Sequence, residues 1–135
     1  MVMRGFVPIK EGQVHFRTEG DGNSNPPLVL LHASPSSSKS LVPMIQTLAP
    51  NYCVIAPDTM GNGDSPDPAT NDPDLGYYAD AMDRMADALN LETVNLYGTH
   101  TGAHIAIEWA IHNPDRVYSL TLEGLAHFPD DQRQE

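Results

Sequence analysis

The stretch Tyr97-Gly98-Thr99-His100-Thr101-Gly102-Ala103 decides how this chain is read. Apolar residues run into it from Thr93 onward, and small and apolar residues run out of it as far as His112. The first run reads as a buried strand. The second reads as a helix that stops near Asn113-Pro114, since the residue before a proline resists helical angles. No linker separates the two, so the chain must pass from strand to helix in one sharp turn. Gly98 and Gly102 stand two positions to either side of His100, where closely approaching backbones leave no room for a side chain. The pattern predicts a strand followed at once by a helix, with His100 at the junction.

Outward from this turn, strands and helices alternate. Leu28-Val29-Leu30-Leu31 and residues 52–56 are continuous apolar runs, and residues 117–122 are a further one. Such runs mark strands buried on both faces of a parallel sheet. Helical spacing fills residues 41–49, stopped by Pro50, and residues 76–90, where Tyr78, Met82, Met85, Ala86 and Leu89 recur. Residues 57–74 are rich in Gly, Pro, Asp and Asn and read as loop. At the start, residues 2–8 and 13–18 flank Glu11-Gly12 and predict a β-hairpin. The alternation from residue 28 onward predicts an α/β chain with a mostly parallel sheet, right-handed crossovers and helices on both faces.

The 135 residues, 40% hydrophobic and 19% charged, fit one globular domain over residues 1–135. A formal net charge of −11 with seven scattered basic residues argues against nucleic acid and against an anionic membrane surface. Cys53, the lone cysteine, can form no intrachain disulfide and supports no zinc cluster. Met1-Val2-Met3-Arg4-Gly5 has no apolar signal core, and no apolar run is long enough to span a bilayer. A cytoplasmic protein is the expectation.

Three segments, in this order, resemble the α/β-hydrolase family. Leu31-His32-Ala33-Ser34-Pro35 follows a buried strand, where family members usually show His-Gly in a loop that helps build the oxyanion hole. Here Ala33 replaces the glycine. Ala56-Pro57-Asp58-Thr59-Met60-Gly61-Asn62-Gly63-Asp64-Ser65 is similar to the family's Pro-Asp-x-x-Gly-x-Gly-x-Ser loop, with Gly61 and Gly63 supplying angles that side chains forbid and Asp58 pinning the loop. The Tyr97–Ala103 stretch resembles the Gly-x-Ser-x-Gly nucleophile elbow, with His100 in place of the serine. Pro35-Ser36-Ser37, and Glu123 after the last strand, look most like the haloalkane dehalogenase and epoxide hydrolase branch.

The resemblance implies the N-terminal half of an α/β-hydrolase sheet, a core truncated before the cap and C-terminal strands. It places His100 at the nucleophile position, Glu123 as a candidate acid, the Ala33 and Thr101 N–H groups at an oxyanion hole, and His32 and Ser34 at a ligand pocket. Gly98, Gly102, Asp58, Gly61 and Gly63 would be structural. Serine hydrolases need an activated hydroxyl and dehalogenases an aspartate, and no residue here matches the late catalytic histidine. His100 is therefore read as an inactivating substitution, a binder of ligand or oxyanion, a nucleophile in its own right, or a packed polar residue. His100, His104 and Glu108 share one helical face, a spacing that can hold a metal, but the elbow would aim His100 away from the other two; no metal and no cofactor is expected.

Two functions compete. The first is a hydrolase by descent on a small apolar ester, lactone, epoxide or halide, catalytically incompetent as this chain. The second is a non-catalytic protein that binds a small ligand or uses its half-sheet in assembly. Residues 117–122 would form an apolar sheet edge, so a homo-oligomer, or a partner chain carrying the C-terminal half, is expected to contact residues 117–128.

Overall fold

The computed structural model describes residues 1–22 and 24–125. Six strands form one sheet: β1 (Met3–Ile9), β2 (Gly12–Glu19), β3 (Leu28–Leu31), β4 (Val54–Pro57), β5 (Val94–Thr99) and β6 (Val117–Glu123). Three helices accompany them: α1 (Val42–Leu48), α2 (Leu75–Ala88) and α3 (Thr101–His112). Strand order is β1-β2-β4-β3-β5-β6. The hairpin strands β1 and β2 pair antiparallel, and β2 joins β4 antiparallel; β4, β3, β5 and β6 run parallel.

The expected alternation is present, with shifts at its margins. The hairpin turns at Lys10-Glu11, one residue earlier than expected, and Gly12 opens β2 at a φ of 132°. The helix expected over residues 41–49 splits, a 3-10 turn at Ser38–Leu41 preceding α1. Ser37 starts that turn by accepting the Lys39 N–H, and Pro43 suits the first turn of α1, where its missing N–H has no partner to lose. Asp74 caps α2 by accepting the Tyr77 N–H at 2.8 Å.

One face of the sheet buries Val29, Leu31 and Leu96 against Met82 and Met85 of α2 and Ile105 and Trp109 of α3. The Trp109 indole N–H donates to Asp83 at 2.8 Å, so the largest core side chain is satisfied as well as buried. The other face packs Leu30, Ala56 and Tyr97 on Ile45 of α1. The fourth parallel strand departs from the expected burial. Only Val117 and Leu122 of β6 are half-buried and the rest is exposed, because among the described residues β6 has a neighbour on one side alone. No helix among the described residues is long and apolar enough to cross a membrane.

Candidate functional site

Chain direction fixes where a ligand can sit. From β3 the chain moves to β4 on one side, and α2 then carries it back across to β5 on the other. The loops leaving β3 and β5 therefore diverge, and the crevice of an open α/β sheet lies at such a switch, outside the carboxyl ends of the strands. Ala33 follows β3 and His100 follows β5, so both residues stand at this crevice.

His100 lies between β5 and α3 with φ 54° and ψ −117°, a left-handed backbone strained for any side chain but glycine. Its N–H donates to the Glu123 carbonyl at 2.9 Å and its carbonyl accepts from Ala103 at 2.9 Å. The glycine bracket works by contact. A Cβ on Gly98 would lie 2.3 Å from the Gly102 carbonyl oxygen, and one on Gly102 would lie 2.2 Å from the Leu31 oxygen and 2.7 Å from that of His32. The start of α3 thus rests directly on the end of β3, which brings the Ala33 and Thr101 segments side by side. Among the described residues neither of these two N–H groups donates to a protein acceptor.

The His100 imidazole is exposed. Thr99 Oγ1 lies 2.9 Å from its Nδ1, and the ring rests over Gly124, where an added Cβ would meet Cε1 at 2.7 Å and Nε2 at 2.8 Å. The Glu123 carboxylate is engaged elsewhere: its Oε2 accepts from the Tyr97 hydroxyl at 2.7 Å. Burial, and after it this bond to Glu123, push the Tyr97 phenol above its ordinary pKa.

His32 is buried, 1% exposed, and its ring is fully used. Nδ1 donates to the Ala33 carbonyl at 2.6 Å, while Nε2 accepts from the Thr59 N–H at 3.1 Å. These bonds fix a neutral tautomer and tie the loop after β3 to the loop after β4. Burial is the main cause that lowers the His32 pKa; the Ala33 bond and Asp58 oppose it. Protonation therefore costs folded stability. The imidazole's contribution is complete above the ordinary histidine range, about pH 6.5, and is lost as pH falls below it. The urea midpoint should decline as pH falls below about 6.5, and decline less in His32→Gln; an equal decline in the variant would assign the effect to other groups. Ser34, next to this loop's start, is exposed.

Asp58 is fully buried and organises more than its own loop. It accepts the Asp64 N–H at 2.9 Å, the Ser38 N–H at 2.8 Å and the His15 Nδ1–H at 2.7 Å. Burial favours the neutral acid, but the bonds from Asp64, Ser38 and His15 outweigh it and hold the pKa below its ordinary value. Gly63, at φ 53°, must lack a side chain because a Cβ would fall 2.2 Å from Asp58 Oδ2; Gly61 has φ 82°. Arg4 Nε donates to His15 Nε2 at 2.9 Å and its Nη2 meets Asp64 at 2.6 Å. Sequence reasoning missed His15, Arg4 and Ser38, which lie on other elements far away in the chain.

His15, Asp58 and Asp64 form the one cluster with metal-ligand atoms in mutual reach among the described residues. The Arg4 guanidinium already bridges it, donating to His15 Nε2 and Asp64 Oδ2, while Asp58 accepts from His15, Ser38 and Asp64, so the set suits a structural ion network better than a cation. His100, His104 and Glu108 do not converge into such a cluster.

A profile described as the alpha/beta hydrolase fold matches residues 26–134. A cis-3-alkyl-4-alkyloxetan-2-one decarboxylase of Shewanella oneidensis is 30% identical over 132 residues, covering 94% of this chain and 41% of that protein. A 2-hydroxy-6-oxononadienedioate/2-hydroxy-6-oxononatrienedioate hydrolase of Paraburkholderia xenovorans is 34% identical over 131 residues, covering 88% of this chain and 43% of its own length. The solved epoxide hydrolase CorEH superposes with a TM-score of 0.85 at 29% identity, over 97% of this chain and 48% of that one. The chain thus spans under half the length of the relatives it matches.

Proposed function

This chain belongs to the α/β-hydrolase fold family, and from that premise we propose that it is a hydrolase by descent whose crevice still accepts a small apolar ester, lactone, epoxide or halide compound without turning it over by the serine route. The observation that carries this reading is the elbow itself. His100 stands at a strand-to-helix turn with a positive φ between two glycines that touch neighbouring backbone, the residue presented there is an imidazole, and that imidazole is held by Thr99 and lies over Gly124.

The roles follow from the geometry. The Ala33 and Thr101 N–H groups supply two unpaired donors at the crevice, suited to a carbonyl oxygen or a developing oxyanion. His32 positions Ala33 through its carbonyl. His100 borders the bound compound. A serine attacks because a base removes its proton. Here position 100, which the elbow presents, carries an imidazole in place of a hydroxyl, and Glu123, bonded to Tyr97, is not paired with the His100 ring. The relatives' names point to substrates with a strained ring or an activated carbonyl or carbon centre, which is the basis for the substrate class proposed.

The test is hydrolysis of short p-nitrophenyl esters by the purified chain. Serine hydrolases stripped of their nucleophile retain roughly 10³–10⁴-fold acceleration over water from oxyanion donors and binding. The chain should not exceed that range, and a sulfonyl fluoride directed at serine should leave the rate unchanged. Binding should persist: adding the ester should shift the Ala33 and Thr101 amide resonances. Rapid turnover abolished by the sulfonyl fluoride would overturn the proposed incompetence. Amide shifts with no turnover at all would favour the second reading, a non-catalytic binder of small ligands in the same crevice.

A further inference from the structure

The His100 ring is held at one nitrogen and bare at the other. Nδ1 lies 2.9 Å from Thr99 Oγ1, and Nε2 has no protein partner among the described residues. Two residues before Thr99 along β5, the Tyr97 hydroxyl donates to Glu123 Oε2 at 2.7 Å. Tyr97 and Thr99 share one face of the strand, and Thr99 stands opposite Glu123 in the β5–β6 register. The Thr99 hydroxyl also bonds to the Tyr97 oxygen, and so opposes the upward push that burial and Glu123 give the phenol. The four side chains are thus linked end to end.

The direction of every bond in this chain is forced from its far end. A carboxylate can only accept, so Tyr97 donates to Glu123. Its one proton is then spent, and its oxygen accepts from Thr99. The threonine proton is spent in turn, so Oγ1 can only accept, and the ring must offer Nδ1–H. A neutral imidazole has one N–H, and the bond made by one nitrogen sets the state of the other. Nε2 therefore carries a bare lone pair, at a turn that borders the unpaired Ala33 and Thr101 N–H groups.

We infer that Thr99, Tyr97 and Glu123 are positioning residues that hold His100 as its Nδ1–H tautomer, and that Nε2 is a nucleophile toward acyl compounds with a good leaving group, such as aryl esters. The inference rests on the crevice binding proposed above and narrows its substrate class. The Nε2 pair forms a bond to the acyl carbon, and the carbonyl pair moves onto oxygen, where the Ala33 and Thr101 N–H groups receive it. The oxyanion collapses, the bond to the aryl oxygen breaks, and aryloxide leaves with that pair. The acyl-imidazolium left behind is stabilised through Nδ1–H and the chain by the Glu123 charge, as a carboxylate stabilises the imidazolium of a serine triad. Water then bonds to the acyl carbon and gives one proton to solvent, the C–N pair returns to Nε2, and the free acid departs. Imidazole is itself a good leaving group. An alkyl ester therefore reverts to starting material, because its alkoxide cannot compete with Nε2 for departure.

Nitrogen-15 spectra of the 135-residue chain read the tautomer directly. The His100 ring, assigned through its own backbone, should show Nδ1 protonated and Nε2 bare. Thr99→Val should erase that bias and Thr99→Ser should restore it. The rates should follow. His100→Asn should bring p-nitrophenyl acetate hydrolysis down to the solvent rate. Thr99→Val should lower kcat roughly tenfold with KM unchanged, the worth of one hydrogen bond, and Thr99→Ser should recover most of the loss. Ethyl acetate should not be turned over. The tautomer and the Thr99 pair keep the inference testable if asparagine disturbs the turn. An Nε2–H ring in the parent, equal rates in Thr99→Val and the parent, turnover of ethyl acetate, or a rate that survives in His100→Asn while the aryl ester still shifts the Ala33 and Thr101 amides would each overturn this inference alone. An aryl ester that neither shifts those amides nor reacts would overturn it together with the proposed binding.

Discussion

Gly102→Ala should destabilise the fold by at least about 3 kcal/mol, although alanine is the better helix former. Gly102 lies in the first turn of α3, where the intrinsic preference favours alanine by about 1 kcal/mol. The contact reverses the sign. The new methyl would sit 2.2 Å from the Leu31 carbonyl oxygen and 2.6 Å from its carbon, both backbone atoms of a strand hydrogen-bonded on two sides. Neither can swing aside as a side-chain tip does. Relief requires lifting α3 off β3, which strips contact from Ile105, Ala106 and Trp109 in the core. Overpacking of this kind typically costs about 1–3 kcal/mol, more where backbone meets backbone. In a domain of this size the melting temperature should fall by roughly 10 °C. A calorimetric midpoint equal to or above that of the parent chain would show that the strand-to-helix turn is looser than its geometry states.

Asp58→Ala should cost a comparable amount, about 3–5 kcal/mol, by leaving a buried ionic network without its centre. Alanine would strand the Ser38 and Asp64 N–H groups and the His15 Nδ1–H, each now bonded to the carboxylate. A buried donor without an acceptor is costly on its own. Asp58→Asn should cost less, since one oxygen still accepts, yet it remains destabilising because its amide N–H₂ would face another donor. The acid limit of the parent chain should follow the same group. Asp58 is held below its ordinary pKa, so its contribution is complete above the carboxylate range, about pH 4, and is lost as pH falls further, through the lowered folded value. Urea denaturation of the three proteins at neutral pH, and of the parent at falling pH, measures both effects. Equal midpoints for the parent and Asp58→Ala would refute the network's importance.

The turn at His100 was legible because its determinants are local. Two glycines, an apolar run before and a helical run after sit within a few residues, and each constrains its neighbours directly. The parallel strands were legible for the same reason, as runs of Val, Ile and Leu. What the sequence concealed is carried by distance in the chain. Nothing near Asp58 announces His15, which is 43 positions away, or Arg4 beyond it. The partner of the Glu123 carboxylate was equally hidden, because Tyr97 reaches it across two strands rather than along one. The exposure of β6 is a third case. Its composition is that of a covered strand, and its exposure follows from its place at the end of the strand order among the described residues. Residues 126–128 of the expected contact lie outside the described residues. Within its own loop Asp58 accepts the Asp64 N–H, but its bonds to Ser38 and His15 leave that loop for other parts of the chain, which no local pattern announces.

The position of β3 has a consequence for the order in which the molecule can be made. β3 is flanked by β4 and β5, and both follow it in the chain, β5 by more than sixty residues, as the pairing of Leu28 with Asn95 shows. On the ribosome the N-terminal hairpin can close as soon as it emerges, from neighbours in sequence. Leu28-Val29-Leu30-Leu31 cannot. It leaves the tunnel before either flank exists, acquires β4 on one side, and keeps its other edge bare until Asn95 to Gly98 have been translated. During that interval the future centre of the sheet is its stickiest exposed segment. A pause in translation between residues 57 and 94 would lengthen the period in which this unpaired apolar run is open to aggregation.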